Sequence, residues 1–191
     1  MPKQSSADLL SFADQLDARD RPPVHKWNPE FCGEMDLRIT RSGVWMYQSS
    51  PINRDRLVKL LSSILRLDGD GEYYLVTPAE KLRIRVDDVP FLGVELQVDR
   101  KAGHQRLLFR TNVGDIILMD ASHPIRVVED EVSGEPSPYL MVRDGLEARL
   151  TRSVFYQIVD LAIEHYDTSE GRVGVWSCGT FFSLSGKCEE I

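Results

Sequence analysis

The chain has 191 residues, with 23 Lys and Arg against 30 Asp and Glu, for a formal charge of −7 at pH 7. At 42% hydrophobic and 28% charged residues it is a folding composition, long enough for one domain or two small ones and for a core without metal or disulfide staples. The acidic balance argues against a general binder of nucleic acid or of anionic membranes, because few cations are spare to neutralise phosphates.

In chain order, residues 5–17 predict a short amphipathic helix, with Leu9, Phe12, Ala13 and Leu16 at i, i+3, i+4 and i+7 and Ser5 or Ser6 as cap. Pro22-Pro23 stops it and leads an extended segment to Trp27 and Pro29. Leu37–Thr40 and Val44–Tyr47 read as a hairpin around Arg41-Ser42-Gly43, with the glycine supplying the positive φ. The next helix has Pro51 in its first turn and Leu57, Leu60, Leu61 and Ile64 as its core stripe. Asp68-Gly69-Asp70-Gly71 ends it. Strands are expected at Glu72–Val76 and Leu82–Val86, where Leu82, Ile84 and Val86 alternate with Arg83 and Arg85.

The middle of the chain predicts strands only: Val94–Val98, Gln105–Arg110, Ile116–Met119 and Ile125–Val128. Residues 129–138, EDEVSGEPSP, read as a loop and as a domain boundary. Strands Tyr139–Val142 and Leu146–Leu150 follow, joined through Asp144-Gly145. A second helix is capped by Ser153 and carries Val154, Ile158, Leu161, Ala162 and His165 on one face. Strands Val173–Trp176 and Phe181–Leu184 close the pattern, with a loose tail over 185–191.

The order strand, Gly turn, strand, helix, strand, strand occurs twice. Leu57 to Tyr73 and Ile158 to Gly174 are both 16 residues, which sets YYLV over GVWS. Few residues are identical, so the repeat is one of elements, about 35–90 against 139–184. Two such modules side by side make a cleft, a common place for a small ligand.

The run from Trp27 to Phe91, including KWNPEFCGEMDLRI and SGVWMYQSSPINRDRLVKLLSSILRLDGDGEYYLVTPAEKLRI, resembles the bacterial family catalogued as domain of unknown function 1285, DUF1285. LLFRTNVGD, SHPIRV, GEPSPYLMVRDGLEARLTRSVFYQIVDLA and GVWSCGTFF extend the likeness over about residues 25–184. The resemblance implies an α+β chain of duplicated α/β modules, with a C-terminal module similar to a pleckstrin-homology-like half-barrel. It also implies an inter-module cleft for a nucleotide-like ligand and a role in bacterial signalling. The expected division is 1–26 as N-terminal helix and linker, 27–92 as the first module and 93–184 as the second.

Chemistry-bearing motifs are sparse. Asp68–Glu72 opens like a calcium loop, but Tyr73 stands at the required glycine and Ala79 at the required glutamate. His25, Cys32, His123 and Cys178 lack ligand spacing, so no metal and no cofactor are expected. No phosphate loop, dinucleotide fingerprint or nucleophile elbow is present. Three cysteines, Cys32, Cys178 and Cys188, without paired spacing, and no apolar run of signal or membrane length, predict a cytoplasmic protein.

The basic residues are 17 Arg to 6 Lys, which favours planar gripping of an anion. Arg83 and Arg85 share a strand face, Arg143 precedes a tight turn, and Lys81 closes the loop begun by Thr77. Asn112 and Asp115 belong to a second polar loop, and Trp45 and Trp176 hold comparable hairpin positions where a ring can stack on a base. The candidate ligand-binding set is therefore Thr77, Lys81, Arg83, Arg85, Asn112, Asp115, Arg143 and Trp176, with no catalytic residue assigned. The leading expectation is a binding protein for a small anionic ligand, with a protein partner to report to. The alternatives are a hydrolase of a small phosphorylated or acyl substrate using Asp115, His123 or Cys178, and an adaptor pairing through open sheet edges.

Overall fold

Residues 21–101, 103–130, 133–164 and 173–184 are described by a computed structural model; the helix expected over 5–17, His165 and the tail from 185 lie outside them. Strands β1 (Phe31–Ile39), β2 (Trp45–Tyr47) and β3 (Ser50–Pro51) form a meander, and α1 (Asp55–Ser63) carries the chain across. A second meander, β4 (Leu65–Leu67), β5 (Tyr73–Val76) and β6 (Lys81–Val86), returns to it. The resulting six-stranded sheet has the order β3-β2-β1-β6-β5-β4, with β1 and β6 parallel at its centre.

The next six strands repeat that plan. Strands β7 (Phe91–Lys101), β8 (His104–Thr111) and β9 (Ile116–Leu118) form one meander; β10 (Ile125–Glu129), β11 (Pro136–Arg143) and β12 (Leu146–Leu150) form the other. Their order is β10-β11-β12-β7-β8-β9, again with the first and last strands parallel at the centre. Both sheets are thus two meanders joined by a parallel central pair. The chain is α+β, two six-stranded sheets in tandem.

That topology moves the repeat frame. Residues 139–184 do not mirror 35–90 as the spacing predicts: they contain β11, β12, α2 (Arg152–Glu164) and a separate ribbon of β13 (Gly174–Ser177) and β14 (Thr180–Ser183). After α1 the strands rejoin the sheet beside β1, whereas after α2 they pair only with each other. Ser177 explains where the ribbon goes instead: its hydroxyl accepts from Leu107 N (3.1 Å) and donates to the Met119 carbonyl (2.6 Å), pinning the ribbon to the second sheet. The 129–138 segment is not a boundary either, because it links the paired neighbours β10 and β11. The break between sheets falls between Val86 and Phe91. Strand order alone does not carry the finer likeness to a pleckstrin-homology-like half-barrel.

The hairpins and most strand runs form where alternation predicts them, including β1–β2 around Gly43, whose φ is 77°. Two details of α1 differ. Pro51 lies in β3, opposite Met46, and the helix begins four residues later. Leu57 and Leu60 of the expected stripe face out, at 38% and 59% exposure, while Val58, Leu61 and Ile64 pack on the core and Ser62 is buried. Both faces contain Leu61, so periodicity alone could not choose between them; the second module, lying against Ser62, does. In α2, Val154, Ile158 and Ala162 are buried as predicted, and Leu161 packs against the core. One apolar cluster spans both sheets, from Leu37, Ile39 and Trp45 to Phe91, Phe109 and Ile158.

Candidate functional site

Where the two modules meet, the β1–β2 turn, β3 and α1 of the first face the start of β7 and the β8–β9 turn of the second. They enclose a cleft of about 560 Å³. Gly43 forms one wall; its carbonyl accepts from Asn112 Nδ2 at 3.2 Å across the joint. The other end of the same amide, Asn112 Oδ1, accepts from Leu92 N at 3.0 Å. Asn112 is therefore consumed as a staple between modules. Valines and leucines line much of the remainder, including Val44, Val58, Leu92, Val94 and Val113.

Several polar side chains around the cleft are without a partner among the described residues. Trp45 is 2% exposed, yet its buried indole Nε1–H meets no acceptor among the described residues. A buried donor without an acceptor costs about 1–3 kcal/mol, and this one is closed off from the open space of the cleft. On the α1 flank, Arg56 and Lys59 line the cleft without a hydrogen-bond or ion-pair partner among the described residues. Most other arginines are tied to carboxylates: Arg38 to Asp87, Arg66 to Asp68, Arg126 to Glu147, Arg149 to Asp88. In a chain of charge −7, spare cations beside a cavity are the electrostatic condition for holding an anion.

A larger open groove, about 780 Å³, runs along the first sheet. It contains Arg83 and Arg85, but also Glu34, Asp36, Glu72 and Asp87. Arg83 is paired with Glu34, and Asp87 is held by Arg38 through two hydrogen bonds of 2.7 and 2.9 Å. The guanidinium beside it holds the Asp87 carboxyl below the usual carboxylate range. With acids in surplus, this groove is poorly suited to an anion.

The sequence-predicted residues do not converge. Thr77 turns back on its own loop, its hydroxyl accepting from Ala79 N and Glu80 N. Lys81 is bound to Asp68 and sits 4.0 Å from the Tyr74 ring centroid. Burial would raise the Asp68 carboxyl, but hydrogen bonds from Arg66 and Lys81 outweigh it and hold the group below its usual value. Arg85 is exposed in the sheet groove. Arg143 and Asp115 pair with each other at 2.9 Å, and Asp115 also meets Arg21 at 2.9 Å. Burial lowers the Arg143 guanidinium, opposed by Asp115. Trp176 is 49% exposed on the ribbon, against Phe181. Of the set, Asn112 alone lines the cleft.

The alternative trio is not assembled. Asp115 is spent on arginines, His123 Nδ1 lies 3.0 Å from Asp120 in its own turn, and Cys178 is exposed in the ribbon turn at φ 52°. Arg56 and Lys59 carry no local signal in the sequence, since they sit beside a leucine stripe, where charge usually marks the solvated face of a helix.

The description "Domain of unknown function (DUF1285), N-terminal domain" matches residues 22–89, and "Protein of unknown function (DUF1285), C-terminal domain" matches residues 90–184. The chain belongs to the DUF1285 family. It is similar to the crystal structure of a DUF1285 family protein from Silicibacter pomeroyi DSS-3, at 45% identity and a TM-score of 0.78, covering 92% of this chain and 93% of that one. A DUF1285 family protein from Shewanella baltica OS155 is similar at 28% identity and a TM-score of 0.53, covering 71% of this chain and 96% of that one. No curated protein matches the chain. The two DUF1285 matches meet at residues 89 and 90, in the short connection between β6 and β7. No helix among the described residues of this DUF1285 protein is long and apolar enough to cross a membrane.

Proposed function

We propose that this DUF1285 protein is a binding module that holds a small anionic ligand in the cleft between its two modules. The observation that carries the reading is a cavity of about 560 Å³ at the junction of the modules, whose helical wall bears Arg56 and Lys59 without a hydrogen-bond or ion-pair partner among the described residues. The cavity size lies in the usual range for small-molecule sites, roughly 300–1,000 Å³. A ligand there would touch both modules, so occupancy would bear on the Asn112 staple and through it on how the modules are held. That is a means of reporting a bound ligand to a partner, which is the signalling role proposed here. The exposed free thiols of Cys32 and Cys178 favour a reducing, cytoplasmic setting for it.

The test is a thermal-shift screen of small anions, followed by titration of tryptophan fluorescence. A ligand at ~100 Kd stabilises the folded chain by about 2.7 kcal/mol, which is readily seen as a rise in Tm. Binding that shifts the emission in the native chain and loses that shift in Trp45→Phe supports the cleft. An anion that stabilises Trp45→Phe and Arg56→Met/Lys59→Met as well as the native chain binds elsewhere and overturns the reading.

A further inference from the structure

We infer that the anion taken by the cleft is a carboxylate on an apolar body, of the size of a medium-chain acid, and not a phosphate or a nucleotide. This rests on the binding reading above and adds the chemical class. Charge argues first. Among the cleft's side chains Arg56 and Lys59 face one carboxylate, Asp55, leaving a single net positive charge. That balance matches a singly charged head, whereas a phosphate monoester carries about −1.5 to −2 at neutral pH. Asp55 also stands in the first turn of α1, so the pole of the helix that attracts anions already has one.

Hydrogen-bonding capacity argues next. A nucleobase is read through several donors and acceptors along its edges. Here each end of the Asn112 amide already holds one partner, and the Ser42 hydroxyl is paired with Thr40 at 3.0 Å. Asn53 remains, at an exposed position, while the Trp45 N–H is closed off from the open space of the cleft. So short a supply of uncommitted side-chain donors and acceptors suits one carboxylate better than a base edge.

The walls supply the body. Val44, Ile52, Val58, Leu92, Val94 and Val113 line the cavity. Val44 and Val94 are 42% and 37% exposed, leaving apolar surface in water that an alkyl chain would cover. Covering it contributes about 25 cal/mol per Å² of apolar area removed from water.

The experiment titrates the full chain with octanoate, octanol, inorganic phosphate and adenosine monophosphate, following Tm and tryptophan emission. Octanoate is expected to bind, octanol to bind at least about tenfold more weakly, and phosphate and the nucleotide to give no shift. Arg56→Met/Lys59→Met, and separately Val94→Asp, should each weaken octanoate by about tenfold or more while keeping the native Tm without ligand. Octanol binding as tightly as octanoate overturns the charged head. Phosphate or nucleotide binding that depends on Arg56 and Lys59, with octanoate inert, overturns the class and leaves the anion-binding reading standing. Octanoate affinity unchanged in both variants overturns the location, and silence from every probe overturns the inference together with the reading beneath it.

Discussion

Arg143, from the second module, donates to the main-chain carbonyl of Ser62 in the last turn of α1 at 2.7 Å. Its other terminal nitrogen is held by Asp115 at 2.9 Å. Carbonyls at a helix C-terminus have no partner within the helix, and a cation there also meets the negative end of the helix dipole. A residue that reads in sequence as a ligand-gripping arginine is, in the fold, the cap of a helix in the neighbouring module.

Arg143→Met should therefore destabilise the protein, by about 1.5–3 kcal/mol for hydrogen bonds to a charged group. Arg143→Lys should recover only part of this, because one ammonium cannot replace a planar fork reaching both Asp115 and Ser62. Denaturant titration checks it. A loss under about 0.5 kcal/mol, the scale of a surface substitution, would show the tie to be replaceable by water.

Gly43 is bound by conformation and by space together. Its φ is 77°, and an added Cβ would lie 2.8 Å from both Asn112 Nδ2 and Leu92 Cδ1. Gly71 has a similar φ of 80° with nothing within 4 Å. The left-handed backbone alone costs an L-residue about 1–2 kcal/mol. Both Gly→Ala substitutions should show that loss, and Gly43→Ala should lose more, because Asn112 must give way at the joint. Equal losses in a side-by-side unfolding comparison would mean that the modules separate there without resistance.

The outward turn of α1 predicts an asymmetry between apolar stripe positions of the two helices that look alike in sequence. Leu60→Ala should change stability by no more than about 0.5 kcal/mol, as at an exposed site. Ile158→Ala, removing a side chain with 0% exposure, should cost about 2–5 kcal/mol. Urea midpoints of the two variants measure both.

Acid should act through Asp68. Its folded carboxyl is depressed, net of burial, by Arg66 and Lys81. A depressed carboxyl contributes stability at pH values above its unfolded value of about 3.9, and that contribution is lost as pH falls through the lower folded value. Asp68→Asn should lower stability at neutral pH and flatten the acid limb of the stability–pH curve. An acid limb as steep as the native one would assign acid sensitivity to other carboxyls.

Local elements were legible from residues alone where one local rule decides them. Strands read at Glu72–Val76 and, by alternation, at Leu82–Val86 lie within one residue of the observed Tyr73–Val76 and Lys81–Val86, and the β1–β2 and β11–β12 turns stand at Gly43 and Gly145, where the turn itself asks for a positive φ. The family likeness was likewise carried by contiguous runs of sequence. Tertiary structure alone decided which strands adjoin: the parallel pairs β1–β6 and β7–β12 join residues about fifty to sixty apart, and no local signal encodes such a contact. It also turned Leu57 and Leu60 outward, spent Lys81, Arg83 and Arg143 on carboxylates, and left Trp45, Arg56 and Lys59 around one cavity. A side chain's charge and shape are written in the chain, but whether it is already partnered depends on what the fold brings beside it.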